Sequence, residues 1–200
     1  MSAEPLRLFV TTVGWLRDER GYVTLAVLFF IAGCVAGAAS PILQPSDADV
    51  DGGDATLSTK LSNPPSALWF AGNNVLVIVM LLTGAAFFGT SSAAILFVNG
   101  FIIANDVTWE LLLGRSPTLV LVLVIPHGAF ELTAILLAGA VGFIIPHQLI
   151  RYLVGRDDEF MSKEKRRQIT RLIVISILLI LIAAVIEAEI TPQVASLTGS

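Results

Sequence analysis

The sequence predicts an all-α, polytopic helical membrane protein with about five transmembrane helices, and three observations carry that expectation. First, mean hydropathy is +0.82, and only 14% of the 200 residues are charged, against about 25% in an ordinary soluble domain. Too little polar surface remains to cover a water-soluble fold, so lipid must cover much of it. Second, several apolar stretches approach or exceed the roughly 20 residues a helix needs to cross a hydrocarbon core. Third, lysine and arginine are divided unevenly among the segments that join those stretches.

Residues 1–21 come first. Leu6, Phe9, Val10, Val13 and Leu16 recur at helical spacing, with Arg7, Arg17, Asp18 and Arg20 off that stripe. The pattern predicts a short amphipathic helix at the interface. The charged leader is long for a signal peptide, so the next apolar run, 22–39, is expected as an uncleaved span. It contains Gly33 and Gly37, a spacing that lets another helix approach closely.

Residues 40–66 carry prolines, glycines and Asp47, Asp49, Asp51 and Asp54, and are expected as an acidic loop. The second span is expected at 67–89. The third, 91–104, is short, and Asn99-Gly100 predicts a kink or partial unwinding there. Residues 105–116 are expected as a loop. The apolar run 117–148 is too long for one untilted span, and Pro126 removes a helical hydrogen bond within it. It predicts a long kinked helix, or a re-entrant half-helix at 117–125 followed by a full span. A basic connector at 151–171 leads to a last span at 172–188. On this division 22–192 is a single membrane domain and 193–200 a polar tail.

Five spans place the N-terminal Arg7, Arg17 and Arg20 on the same side as Arg151, Arg156, Lys163, Lys165, Arg166, Arg167 and Arg171. The opposite side receives only Lys60 and Arg115. The positive-inside rule then predicts a plasma-membrane protein with a cytoplasmic N-terminus and the C-terminus outside. The basic cluster at 163–171 is suited to anionic membrane lipid.

Polar groups at membrane depth are costly unless paired or facing a cavity. Asn74, Asn99, His127, Glu131 and Glu187 form a short set of them, and the topology places them in the outer half of the bilayer. His127 and Glu131 share a helix face that continues through Ala134, Ala138 and Gly142. Small residues on that stripe, with Gly139, mark a side that meets other helices. The set is either a hydrogen-bonded clasp between helices or a site for a proton, a cation or a partner's span. Motifs for hydrolysis, nucleotide binding or zinc are absent, so no enzyme, cofactor or metal is expected, and nucleic acid is not an expected partner. Cys34, the lone cysteine, has no intrachain disulfide to make.

Several patches together resemble the stage II sporulation protein M family. They are Asn74, Asn99-Gly100, Pro126-His127-Gly128 followed by Glu131, Gly139 and Gly142, and Ile186-Glu187-Ala188 with Thr191-Pro192. The Pro-His-Gly-x-x-Glu and Glu-x-x-x-Thr-Pro pieces are the specific ones. The resemblance covers about 66–192 and implies a small multi-pass membrane protein. In spore formers the founding member resembles a scaffold that holds peptidoglycan-degrading enzymes at the septal membrane. It therefore implies a non-enzymatic scaffold or anchor for other membrane or extracytoplasmic proteins. The acidic 40–66 loop departs from a basic surface-docking face. The alternative is a proton- or cation-coupled transporter or channel using the Glu/His cluster. The GxxxG spacing at Gly33 and Gly37 leaves a homo-oligomer open.

Overall fold

The computed structural model describes residues 20–40, 66–191 and 193. The amphipathic N-terminal stripe, most of the acidic loop and the tail lie outside them. Five helices are long and apolar enough to cross a membrane, and the described residues contain no strand. They are α1 (Arg20–Ala39), α2 (Ala67–Leu82), α3 (Thr90–Leu112), α4 (Pro117–Leu153) and α5 (Lys163–Val185). A 3-10 turn, Thr83–Ala85, follows α2, and a π turn, Ile186–Ile190, follows α5.

Local chemistry sets where these helices begin. Ser66, Ser116 and Ser162 each accept a hydrogen bond from the backbone N–H three residues on, filling one of the donors a helix start leaves open. Pro117 occupies the first turn of α4, where no N–H is needed. Gly89 adopts φ +84°, next to Phe88 at φ +50°. This left-handed pair reverses the chain between α2 and α3, and the Gly89 N–H closes on the Gly84 carbonyl at 2.8 Å.

Helix α4 is the central post. Nearly every residue from Ala134 to Ile144 is buried, on all sides of the helix, so neighbours surround it. In lipid no hydrophobic gain drives helices together, and close packing of small residues takes that role. Gly139 lies against Leu96 of α3, and Gly142 against Ser92 and the Leu81 carbonyl. Fully buried Ser92 donates to that same Leu81 carbonyl at 2.7 Å. Pro146 has no N–H, which leaves the Gly142 carbonyl without its helical partner. Gly84 stands beside that carbonyl, where a Cβ would come within 2.9 Å.

The second close contact joins α1 to α3. Added Cβ atoms at Gly33 and Gly37 would collide with the carbonyls of Phe97 and Phe101, and one at Gly100 with that of Phe30. The partners advance together along both helices, so α1 and α3 run parallel. The outward faces stay apolar, with Leu28, Ile31 and Val35 on α1 and Leu178, Ile182 and Val185 on α5 exposed. These faces are suited to acyl chains.

Several expectations need correction. Asn99-Gly100 does not break α3: the Asn99 amide bonds the Ile95 carbonyl of its own helix at 2.8 Å, and Gly100 serves the α1 contact. Residues 105–112 are helical, so only 113–116 link α3 to α4. The half-helix is absent: α4 runs unbroken from 117 past Pro126 to 153, since the proline removes one hydrogen bond from a long helix without ending it. The connector shrinks to 154–162, since the basic residues from Lys163 onward form the first turns of α5. Gly33 and Gly37 pack within the chain, against Phe97 and Phe101 of α3.

At the connector, Arg151 makes a bidentate pair with Asp157, both bonds 2.7 Å. Those hydrogen bonds hold the Asp157 carboxyl below the usual carboxylate range. A depressed folded value stabilises above the unfolded value and is lost as pH falls through the folded one. The melting temperature of Asp157→Asn should therefore lie below wild type near neutral pH. The gap should begin to narrow as pH falls through the ordinary carboxylate value and close only below the lower folded one; a gap independent of pH would discount the pair. Gly33→Ala and Gly100→Ala should each destabilise by about 1–3 kcal/mol in detergent unfolding, because the new methyl meets backbone. Gly72→Ala, whose Cβ meets open space, should not.

Candidate functional site

The polar residues expected to converge lie near one end of the bundle, opposite the connector. Asn74 sits on the buried stripe of α2 with Phe70, Ala71 and Ile78, and is 7% exposed. His127 and Glu131 are half-buried on α4, on the face that continues into buried Ala134 and Ala138. Glu187 is half-buried in the π turn, while Glu189 is exposed. That turn widens the end of α5 and aims the buried Thr191 hydroxyl at α4.

The joining contact is His127 Nδ1 to Thr191 Oγ1, 3.4 Å. The Thr191 hydroxyl also donates to the Ile186 carbonyl at 3.2 Å. A hydroxyl has one proton, so with it committed to Ile186 the imidazole N–H donates to Thr191. This link ties α4 to the end of α5. Glu131 and Asn74 make no hydrogen bond with other described residues. Asn99 does not join the set, since its amide closes on its own helix. Phe70 and Ala71 of α2 pack with Ala184 and Ala188, which brings the start of α2 to the same end of α5.

Other polar groups escape a reading of the sequence. Asn105, expected in a loop, is 7% exposed and donates to the Ser40 carbonyl at 2.9 Å and to the Gly37 carbonyl at 3.4 Å. It closes the C-terminal end of α1, where carbonyls lack helical partners. Its signal was its place one turn after Phe101 on the face that carries Gly100, visible once the glycines of α1 are given a partner. At the other end Tyr22 of α1 bonds His147 Nδ1 of α4 at 2.5 Å. These two residues are 125 apart in sequence, and nothing local links them.

Chemically the arrangement offers a carboxylate, an imidazole and a hydroxyl near one level. Among the described residues no three His, Cys, Asp or Glu side chains gather to hold a metal ion. The small-residue positions sit between helices: Gly33 and Gly37 against α3, Gly139 against Leu96, and Gly142 against Ser92.

Comparisons with known proteins agree with the sequence patches. The profile of the stage II sporulation protein M family matches residues 26–192. A protein of Methanocaldococcus jannaschii, named only as uncharacterised, is 36% identical over 124 residues, covering 62% of this chain and 70% of its own length. No solved structure matches.

Replacing Asn105 by Leu should cost about 1–2 kcal/mol in detergent unfolding, since it orphans the end of α1. Thr191→Val, which keeps the shape, should cost about 1 kcal/mol or less at this long contact. A neutral Asn105→Leu would remove the capping role.

Proposed function

Because the chain belongs to the stage II sporulation protein M family, we propose that it is a non-enzymatic multi-pass scaffold of the plasma membrane that organises partner proteins. The observation that supports this most is how the polar groups inside the bundle are used. Ser92 holds Leu81, Asn99 holds Ile95, Asn105 holds Ser40, and His127 meets Thr191. Each bond fixes a helix to itself or to a neighbour, as a rigid platform needs. Partners are then recruited at surfaces rather than processed at a buried centre.

The orientation belongs to the same proposal. Arg151, Arg156, Lys163, Arg166 and Arg167 gather where α4 ends and α5 begins. That end is assigned to the cytoplasm and the opposite end to the outside.

A transport reading has one observation in its favour: Glu131 is a half-buried carboxylate in an apolar helix without a described hydrogen-bond partner. An intramembrane acid of this kind marks ion pathways in other proteins. Flux of protons and common cations in proteoliposomes separates the two readings, with Glu131→Gln and Glu187→Gln beside wild type. The scaffold reading expects no flux and folded variants. Wild-type flux abolished by either substitution would replace it with a transport site.

A further inference from the structure

Helix α5 carries all its charges at one end, and its register on α4 gives their depth. The two helices run antiparallel, and His127 meets Thr191. Twenty residues on from His127 and twenty back from Thr191 bring His147 level with about Arg171. Ile144 and Leu172 share one buried cluster, which agrees with that register. Tyr22 of α1 bonds His147 at the same level. Inward of it, no Asp, Glu, Lys or Arg lies between Arg171 and Glu187, or between Glu131 and Arg151. Arg171 therefore stands at the edge of the hydrocarbon core on the connector side. Arg167 is one turn outside it, about 6 Å at the helical rise. A headgroup layer is about 5–8 Å deep, so Arg167 lies at phosphate height.

These two arginines share a face of α5, with Arg167 exposed and Arg171 half-buried. The same line of the helix continues inward through Val174, Leu178, Leu181 and Val185, three or four residues apart and all exposed. On the other side Ile169, Leu172, Ser176 and Ile180 are buried. The cations thus stand directly over a lane of aliphatic surface. Arg115 and Arg151 have carboxylate partners, Glu110 and Asp157. Arg167 and Arg171 have none among the described residues. Glu164, the one carboxylate of α5, lies two turns beyond Arg171 and pairs with neither. A cation at the edge of the core is costly without a counter-charge. Helical side chains lean toward the N-terminus, so Arg171 reaches up to the level of Arg167. A guanidinium offers phosphate two parallel N–H donors.

We propose that this face of α5 is a binding site for one anionic phospholipid. Its phosphate sits on Arg167 and Arg171, and an acyl chain lies along Val174, Leu178, Leu181 and Val185. Charge selects the headgroup, and the aliphatic lane selects a lipid over a soluble anion. The site goes beyond the scaffold reading and does not rest on it.

The test uses the full chain in mixed-lipid nanodiscs, with Cys34→Ala and a bimane label at Val174→Cys. Quenching is titrated with acyl-chain nitroxide phosphatidylglycerol and, separately, with its phosphatidylcholine counterpart. The anionic lipid should be preferred about five-fold. Arg167→Gln with Arg171→Gln should bring that ratio to about one. Arg20→Gln with Arg156→Gln removes the same charge from exposed positions off the lane and should leave the ratio unchanged. A wild-type ratio near one would overturn the proposal. So would equal losses in the two glutamine pairs, the signature of diffuse surface charge. Weak quenching by both lipids would show protein covering this face, and would also overturn it. Inorganic phosphate in place of chloride, at equal ionic strength, should not change the ratio; its collapse would reassign the arginines to soluble phosphate. Flux of ions, the measurement that decides the scaffold reading, is unaffected by any of these outcomes.

Discussion

Close backbone contact between helices is the constraint on which the architecture depends. Between apolar helices in lipid, attraction comes from packing, and packing is strongest where no side chain intervenes. Gly33, Gly37 and Gly100 let α1 and α3 meet backbone to backbone, Gly84 and Gly142 bring the backbone at the end of α2 against that of α4, and Gly139 makes room for the Leu96 side chain of α3. The first contact makes α1 and α3 parallel. That fixes α2 as the return segment of the path and aligns Asn105 with the open end of α1. The second contact places α4 at the centre, which leaves each remaining helix with one inward face.

Polar groups then serve this packing. Ser92, Asn99 and Asn105 donate to backbone carbonyls, and His127 meets a hydroxyl on the π turn. Such bonds are individually modest in membranes, but they fix register where leucine contacts alone would tolerate sliding. Prolines have a matching effect. Pro146 frees the Gly142 carbonyl beside Gly84, and Pro126 lies one residue before His127, which meets Thr191. The helix continues past both, and around Pro146 neighbouring helices pack against it.

The ends of the molecule differ in consequence. The connector end gathers basic side chains with the Arg151–Asp157 pair, a combination that suits a headgroup region. At the other end the α3–α4 hairpin carries exposed leucines, Leu112 and Leu121 among them.

The sequence by itself determined the membrane class, the number of long apolar helices and the family. Those depend on hydropathy over about 20 residues and on short patches such as Pro126-His127-Gly128, which are local properties. It also marked Gly33, Gly37, Gly139 and Gly142 as contact positions, since a glycine in an apolar helix implies a close neighbour. It could not say which neighbour. Asn99-Gly100 reads as a break in isolation and becomes a continuous helix only because Phe30 of α1 lies against Gly100. Asn105 and the residues after it read as a loop until the end of α1 supplies carbonyls to bind. The register of α3 on α4, with Leu96 at Gly139 and Ser92 at Gly142, was decided by the tertiary structure alone, because the register between antiparallel helices is set by side chains far apart in sequence.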